Sequence, residues 1–165
     1  MNTHIKTIRS LLKFFIVALA LSGLTAIPAE QELDFLCRVF PTGTRIGDWL
    51  DTVYRGFHDT NTRYPFLAYG YDWLAFAHVV LAILFYGPLK DPVKNKWVIE
   101  FGIIACLLII PWAMITGHFR HIPFWWRLID CSFGVVGLLL LSVCLKKINR
   151  LEEEQKHELS LNTID

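Results

Sequence analysis

The chain has 165 residues, the length of a single domain, and 54% of them are hydrophobic, with a mean hydropathy of +0.42. Charged residues make up 19% and the net charge is +1, so the sequence is too apolar for a soluble domain of this size. We therefore predict an integral membrane protein, and no nucleic-acid partner.

The first apolar run covers residues 11–27 and follows a basic flank. A charged start and a short apolar centre are typical of a signal peptide, and Ala29 would be its last residue. Ile27 and Pro28 make a poor cleavage site, so the run is predicted to be retained as the first membrane span, with the cleaved signal peptide as the alternative.

A polar interval, residues 30–65, separates this run from the next and contains two amphipathic stretches. Pro41 and Gly43 break the chain between them. Neither stretch is long enough to span a bilayer, so we predict two short helices that lie on the membrane surface or fold over the bundle as a cap. Their apolar residues recur at helical spacing: Leu33, Leu36, Cys37 and Phe40 in the first, then Ile46, Trp49, Leu50, Val53 and Phe57.

Three further apolar runs, residues 66–86, 97–116 and 124–145, are each long enough to cross a membrane. The connection 87–96 carries three lysines against one aspartate, and basic residues also flank the first run and follow the last. Because basic loops stay on the cytoplasmic side, we predict that both termini are cytoplasmic and that the polar interval is outside. This orientation holds for the later spans even if the first run is cleaved.

The predicted fold is all-α, a polytopic four-helix transmembrane bundle over residues 1–148 with the two short amphipathic interfacial helices between spans one and two. A polar cytoplasmic tail, residues 149–165, is predicted to extend the last helix and end in disorder. Gly134 and Gly137 form a small-residue strip suited to close helix packing. We predict a multi-pass protein of the cell membrane, with membrane lipid as its partner and no cofactor. A homo-oligomer or a partner in a membrane complex stays open.

Ionisable residues within spans are candidates for function because each one costs a few kcal/mol to insert. Asp72, Arg127 and Asp130 fall in the outer third of their spans, and His78 lies near the midplane. The functional interpretation is a capped outer-leaflet pocket in which these four residues bind a ligand. The structural alternative is an ion-pair bridge from Arg127 to Asp72 and Asp130 that fixes helix packing.

The histidines leave several possibilities open. His78 is a packing residue, a proton relay or an axial haem ligand, and a second histidine at its depth for haem is missing from the sequence. His118 and His121 form an H-x-x-H in the outer turn, a weak candidate for a metal site with Asp72 or Asp130.

The leading functional hypothesis is a membrane protein that binds a lipid-like or small amphipathic molecule in this pocket. The alternatives are an accessory or scaffolding subunit of a larger membrane complex, and a membrane-embedded enzyme or haem or metal protein that uses His78. The sequence contains no P-loop, nucleophile elbow or H-E-x-x-H, so whether any reaction is catalysed stays open.

Overall fold

The protein is represented by a computed structural model that describes residues 2–162, and within that range it consists of helices joined by short turns, with no β-strand. The helices in chain order are α1 (Asn2–Leu24), α2 (Ala29–Val39), α3 (Arg45–Arg63), a short 3₁₀ helix (Pro65–Ala68), α4 (Tyr69–Leu84), α5 (Tyr86–Lys90), α6 (Lys96–Phe119) and α7 (Phe124–Asn162).

Within the described residues, four helical segments are long and apolar enough to cross a membrane. They coincide with the four predicted spans, so the all-α class and the count of apolar helices are confirmed. Their bounds are His4–Leu24, Pro65–Lys90, Lys96–Phe119 and Phe124–His157.

The first and last of these helices are longer than the sequence predicted. α1 begins at Asn2 rather than at residue 11, because Ile5, Ile8 and Leu12 continue the apolar pattern and no proline or glycine interrupts it. α7 continues well past residue 145 as a helix of 39 residues. Of the predicted tail, residues 149–162 are helical, and residues 163–165 lie outside the described range.

The chain divides into two compact units, which are described separately. One unit contains residues 1–16 and 83–165, and α6 and α7 pack against each other within it. Its core is apolar, and its described members with the least exposure are Ile8, Leu12, Phe85, Pro88, Val98, Ile99, Leu141, Cys144, Ile148 and Leu151.

Glycines allow α6 and α7 to approach closely. A Cβ added at Gly134 would lie 2.8 Å from the Cys106 carbonyl oxygen, and one added at Gly137 would lie 2.7 Å from the Cys106 sulfur. Both glycines are buried. The predicted small-residue strip therefore does pack against a neighbouring helix.

Polar contacts fix the connection between α5 and α6 in the same unit. The Asn95 side-chain amide donates to the Gly87 and Asp91 carbonyls at 3.2 and 2.9 Å. The Lys96 ammonium forms an ion pair with Glu152 of α7 at 3.0 Å. The predicted cytoplasmic end of this unit is therefore held by both hydrogen bonds and charge.

The second unit, residues 17–82, contains the α2–α3 hairpin, whose turn explains where α3 begins. Gly43 adopts φ of +95°, a left-handed conformation that favours glycine, and its N–H donates to the Asp48 carboxylate at 2.8 Å. The Thr44 hydroxyl accepts the Gly47 N–H at 3.0 Å and caps the helix. A side chain at Gly47 would collide with the Pro41 carbonyl, so α3 passes directly over the turn.

The hairpin also packs against the beginning of α4. α3 contacts the 3₁₀ helix, and the Phe57 ring stacks on Tyr71 with 5.0 Å between centroids. The two amphipathic stretches are thus helices, and the second of them packs against the start of the second apolar segment.

Candidate functional site

A carboxylate surrounded by aromatic rings lies near the start of α4. Tyr69, Asp72, Trp73 and Phe76 line a shallow concavity of about 250 Å³, here named the Asp72 surface. Their spacing of i, i+3, i+4 and i+7 places all four on one helix face. The three rings stay 62, 54 and 58% exposed in chain order. The Trp73 ring meets those of Tyr69 and Phe76 edge to face, at 5.9 and 5.6 Å.

Asp72 is exposed. Within the described part of the chain, its carboxylate accepts no hydrogen bond and forms no ion pair. A carboxylate in an apolar helix is unfavourable without a partner. The neighbouring rings present negative electrostatic potential at their faces, which adds to the charge of the carboxylate. The Asp72 surface is therefore suited to a cation that also carries apolar groups.

His78 belongs to the same unit but lies on a different face of α4. His78 lies six positions after Asp72, so the two side chains leave the helix about 120° apart. His78 is half-buried, and its Nδ1 lies 2.8 Å from the Leu74 carbonyl oxygen. A Cβ added at Gly23 would collide with the Cβ of His78. This histidine therefore packs at a close crossing between α4 and the end of α1.

Arg127 stabilises the turn between α6 and α7. Its Nε donates to the Ile122 carbonyl at 2.8 Å, and a Cβ at Gly117 would lie 2.7 Å from the arginine Cδ. Asp130, three residues further on, is half-buried, and among the described residues no ion pair joins it to Arg127. The arginine thus has a structural role in its own unit.

The four predicted site residues are divided between the two units. Asp72 and His78 belong to one, and Arg127 and Asp130 belong to the other. That all four line one pocket stays a prediction.

The two outer-turn histidines are exposed. His121 has a positive φ of 55°, and its N–H donates to the His118 carbonyl at 3.2 Å. Within residues 2–162, no group of three or more histidine, cysteine, aspartate or glutamate side chains is placed to hold a metal ion. All four cysteines are free thiols.

A polar cluster in the α2–α3 hairpin was not predicted from the sequence. Glu30 in the first turn of α2 contacts two side chains near the end of α3, with Oε1 2.6 Å from His58 Nδ1 and Oε2 accepting Asn61 Nδ2 at 2.8 Å. The hydrogen bond to Glu30 raises the pKa of His58. Hydrogen bonds from Asn61 and then His58 lower the pKa of Glu30. The two helices predicted from the sequence could have indicated this cluster, because a helical hairpin brings the first turn of one helix close to the last turns of the other.

In comparisons with known proteins, no family model, curated protein or solved structure matches this chain.

Proposed function

We propose that the chain is a multi-pass protein of the cell membrane with both termini in the cytoplasm and the α2–α3 hairpin outside. Four apolar helical segments support the multi-pass arrangement. The lysine-rich connection 87–96 supports the orientation, since basic loops are retained on the cytoplasmic side. Cysteine-accessibility labelling tests it: Asp59→Cys should add labelling by an impermeant reagent in intact cells, and Lys94→Cys should add labelling only after lysis.

The packing of α1 supports its retention in the mature protein. Ile8 and Leu12 have no exposed surface, and the Phe15 ring lies 4.8 Å from that of Phe85. Cleavage near Ala29 would remove these two buried side chains and the Phe15 ring. The intact mass of the purified protein distinguishes the full chain from one that starts after Ala29.

The protein's function, in this proposal, is to bind a lipid or a small amphipathic molecule from the outer leaflet. The observation that carries it is the Asp72 surface, which combines an unpaired carboxylate with three exposed rings on a helix of membrane-spanning length. Ligand sites typically combine apolar walls with a few polar groups that fix orientation.

The contacts of the α2–α3 hairpin support the interpretation that it forms a cap, rather than two separate helices on the bilayer surface. The Phe57–Tyr71 stack joins the hairpin to α4 one residue before Asp72. The Glu30 cluster joins α2 to α3. The cap would therefore lie beside the outer end of the helix that carries the ligand.

Native mass spectrometry of the gently solubilised protein tests lipid binding. We expect the monomer to retain an adduct of lipid or small-molecule mass that harsher detergent removes. A protein that carries no adduct under gentle conditions, while remaining folded by circular dichroism, would refute the proposal.

A second function, accessory subunit of a larger membrane complex, is favoured by the length of α7. Its 39 residues extend about 58 Å, well beyond a hydrocarbon core of about 30 Å. The excess would project into the cytoplasm as a docking helix. Co-purification of a protein in fixed stoichiometry, lost when residues 157–165 are deleted and the Lys96–Glu152 ion pair is kept, would support this function.

A further inference from the structure

The depth of Asp72 in the membrane follows from the aromatic residues of its helix. Tyr69 begins α4 and Tyr86 lies two residues beyond its end; the 16 residues of α4 rise about 24 Å, which is close to the thickness of a hydrocarbon core. Tyrosine and tryptophan prefer the two interfaces, so Tyr69 and Trp73 indicate the outer one. Asp72 then lies within about one helical turn of the lipid headgroups.

Within residues 2–162, no lysine or arginine forms an ion pair with this carboxylate. Arg63 is the nearest basic residue in the sequence, and no ion pair joins it to Asp72 in the described structure. The abundant cations at the interface of a bilayer are the ammonium groups of zwitterionic lipids. These are covalently attached to apolar chains that can pack beside the exposed rings.

We propose that the Asp72 surface binds the ammonium group of a zwitterionic phospholipid headgroup, and that a primary ammonium is preferred. The Asp72 carboxylate accepts hydrogen bonds from the ammonium, and the Tyr69 and Trp73 faces attract the same charge. This proposal rests on the proposed function of lipid binding and specifies the headgroup.

The chemistry of the surface predicts an order among three headgroups. Phosphatidylethanolamine supplies N–H donors and positive charge, and phosphatidylcholine supplies the charge without the donors. Phosphatidylglycerol is anionic without an ammonium and is repelled by the carboxylate. Retention should therefore fall in that order.

The control for charge is an exposed carboxylate without neighbouring rings. Glu153 of α7 is exposed, and no phenylalanine, tyrosine or tryptophan lies three or four positions from it. Glu153→Gln thus removes one negative charge without altering the Asp72 surface. Trp112 of α6, which is 71% exposed, provides the matched control for an exposed tryptophan.

The experiment titrates the purified full-length protein in detergent with each of the three lipids and measures bound lipid by native mass spectrometry. The variants are Asp72→Asn and Trp73→Leu, with Glu153→Gln and Trp112→Leu as controls. We expect Asp72→Asn to weaken phosphatidylethanolamine binding at least about tenfold, the scale of one charge-assisted hydrogen bond. Trp73→Leu should weaken it by about threefold to tenfold, the scale of a cation–π contact. Both controls should bind as the native chain does.

The outcomes separate this proposal from the proposed function. Binding of all three lipids with equal affinity, unchanged by Asp72→Asn, would overturn the ammonium site and leave lipid binding intact. Absence of every lipid would refute both. Equal losses in Asp72→Asn and Glu153→Gln, or a dimer that excludes lipid, would also overturn the ammonium site. Circular dichroism shows whether each variant folds, and Asp72→Glu, which keeps the charge, should retain the preference.

Discussion

Replacement of Gly23 by alanine should destabilise the protein, although alanine is the better helix former. A Cβ at this position would overlap the Cβ of His78 and lie 3.1 Å from the Ala75 carbonyl oxygen. Both contacts involve atoms fixed to the backbone of α4, so no rotamer change relieves them. The helices must move apart instead.

The magnitude follows from two opposing effects. A helical glycine-to-alanine change gains up to about 1 kcal/mol, and less near a helix end such as this one. Overpacking typically costs about 1–3 kcal/mol. We therefore expect Gly23→Ala to lower the free energy of unfolding by about 1–2 kcal/mol.

Gly56 provides the matched control, because it lies within α3 and a Cβ there would meet no atom within 4 Å. Gly56→Ala should raise stability by about 0.5–1 kcal/mol. Stability is measured as the loss of helical circular dichroism on titration with sodium dodecyl sulfate. If Gly23→Ala is as stable as Gly56→Ala, the close crossing is absent. His78→Ala should not rescue Gly23→Ala, since its Cβ remains.

Three further results are expected. Ile8→Ala and Leu12→Ala should each destabilise the protein by about 2–4 kcal/mol in the same titration, because both side chains are fully buried; an unchanged midpoint would contradict the packing of α1. Thr44→Ala should cost about 1 kcal/mol through loss of the helix cap, measured as faster amide exchange in the first turn of α3. The contact of His58 with Glu30 should stabilise the hairpin most between the usual pKa of the glutamate, 4.5, and that of the histidine, 6.5. Since the pKa of His58 is raised, this stabilisation is complete below 6.5 and lost as pH rises through the raised value. Amide exchange of α2, corrected for intrinsic rates, should show this loss in the native chain and not in His58→Gln.

Hydrophobic periodicity predicted the helices well but not their ends. The two amphipathic stretches became α2 and α3 because their apolar residues recur at helical spacing around a Pro–Gly break. The start of α1 was missed because hydropathy averages Ile5 and Ile8 with the polar residues between them. An apolar stripe at i, i+3 and i+7 would have identified this part of the helix.

Residues of the candidate site could be predicted in part. The sequence placed Asp72 in the outer third of its span, but it did not combine this carboxylate with the rings of Tyr69 and Trp73 into one surface. Glu30 and His58 lie 28 residues apart along the chain, so their contact depends on how the α2–α3 turn closes. Local patterns cannot supply that geometry.

The two faces of α4 differ in chemistry, and this difference separates stability from ligand binding. Ala75 and Ala82 are buried, and His78 packs with them on the side of the helix that meets neighbouring segments. Asp72 and its exposed rings lie on another face, with Asp72 about 120° around the helix from His78. Because buried small residues set how closely helices approach, changes at Ala75 should alter unfolding. Changes at Asp72 should alter lipid retention while the fold is kept. If Asp72 had only a structural role, a variant that keeps the fold would also keep its bound lipid.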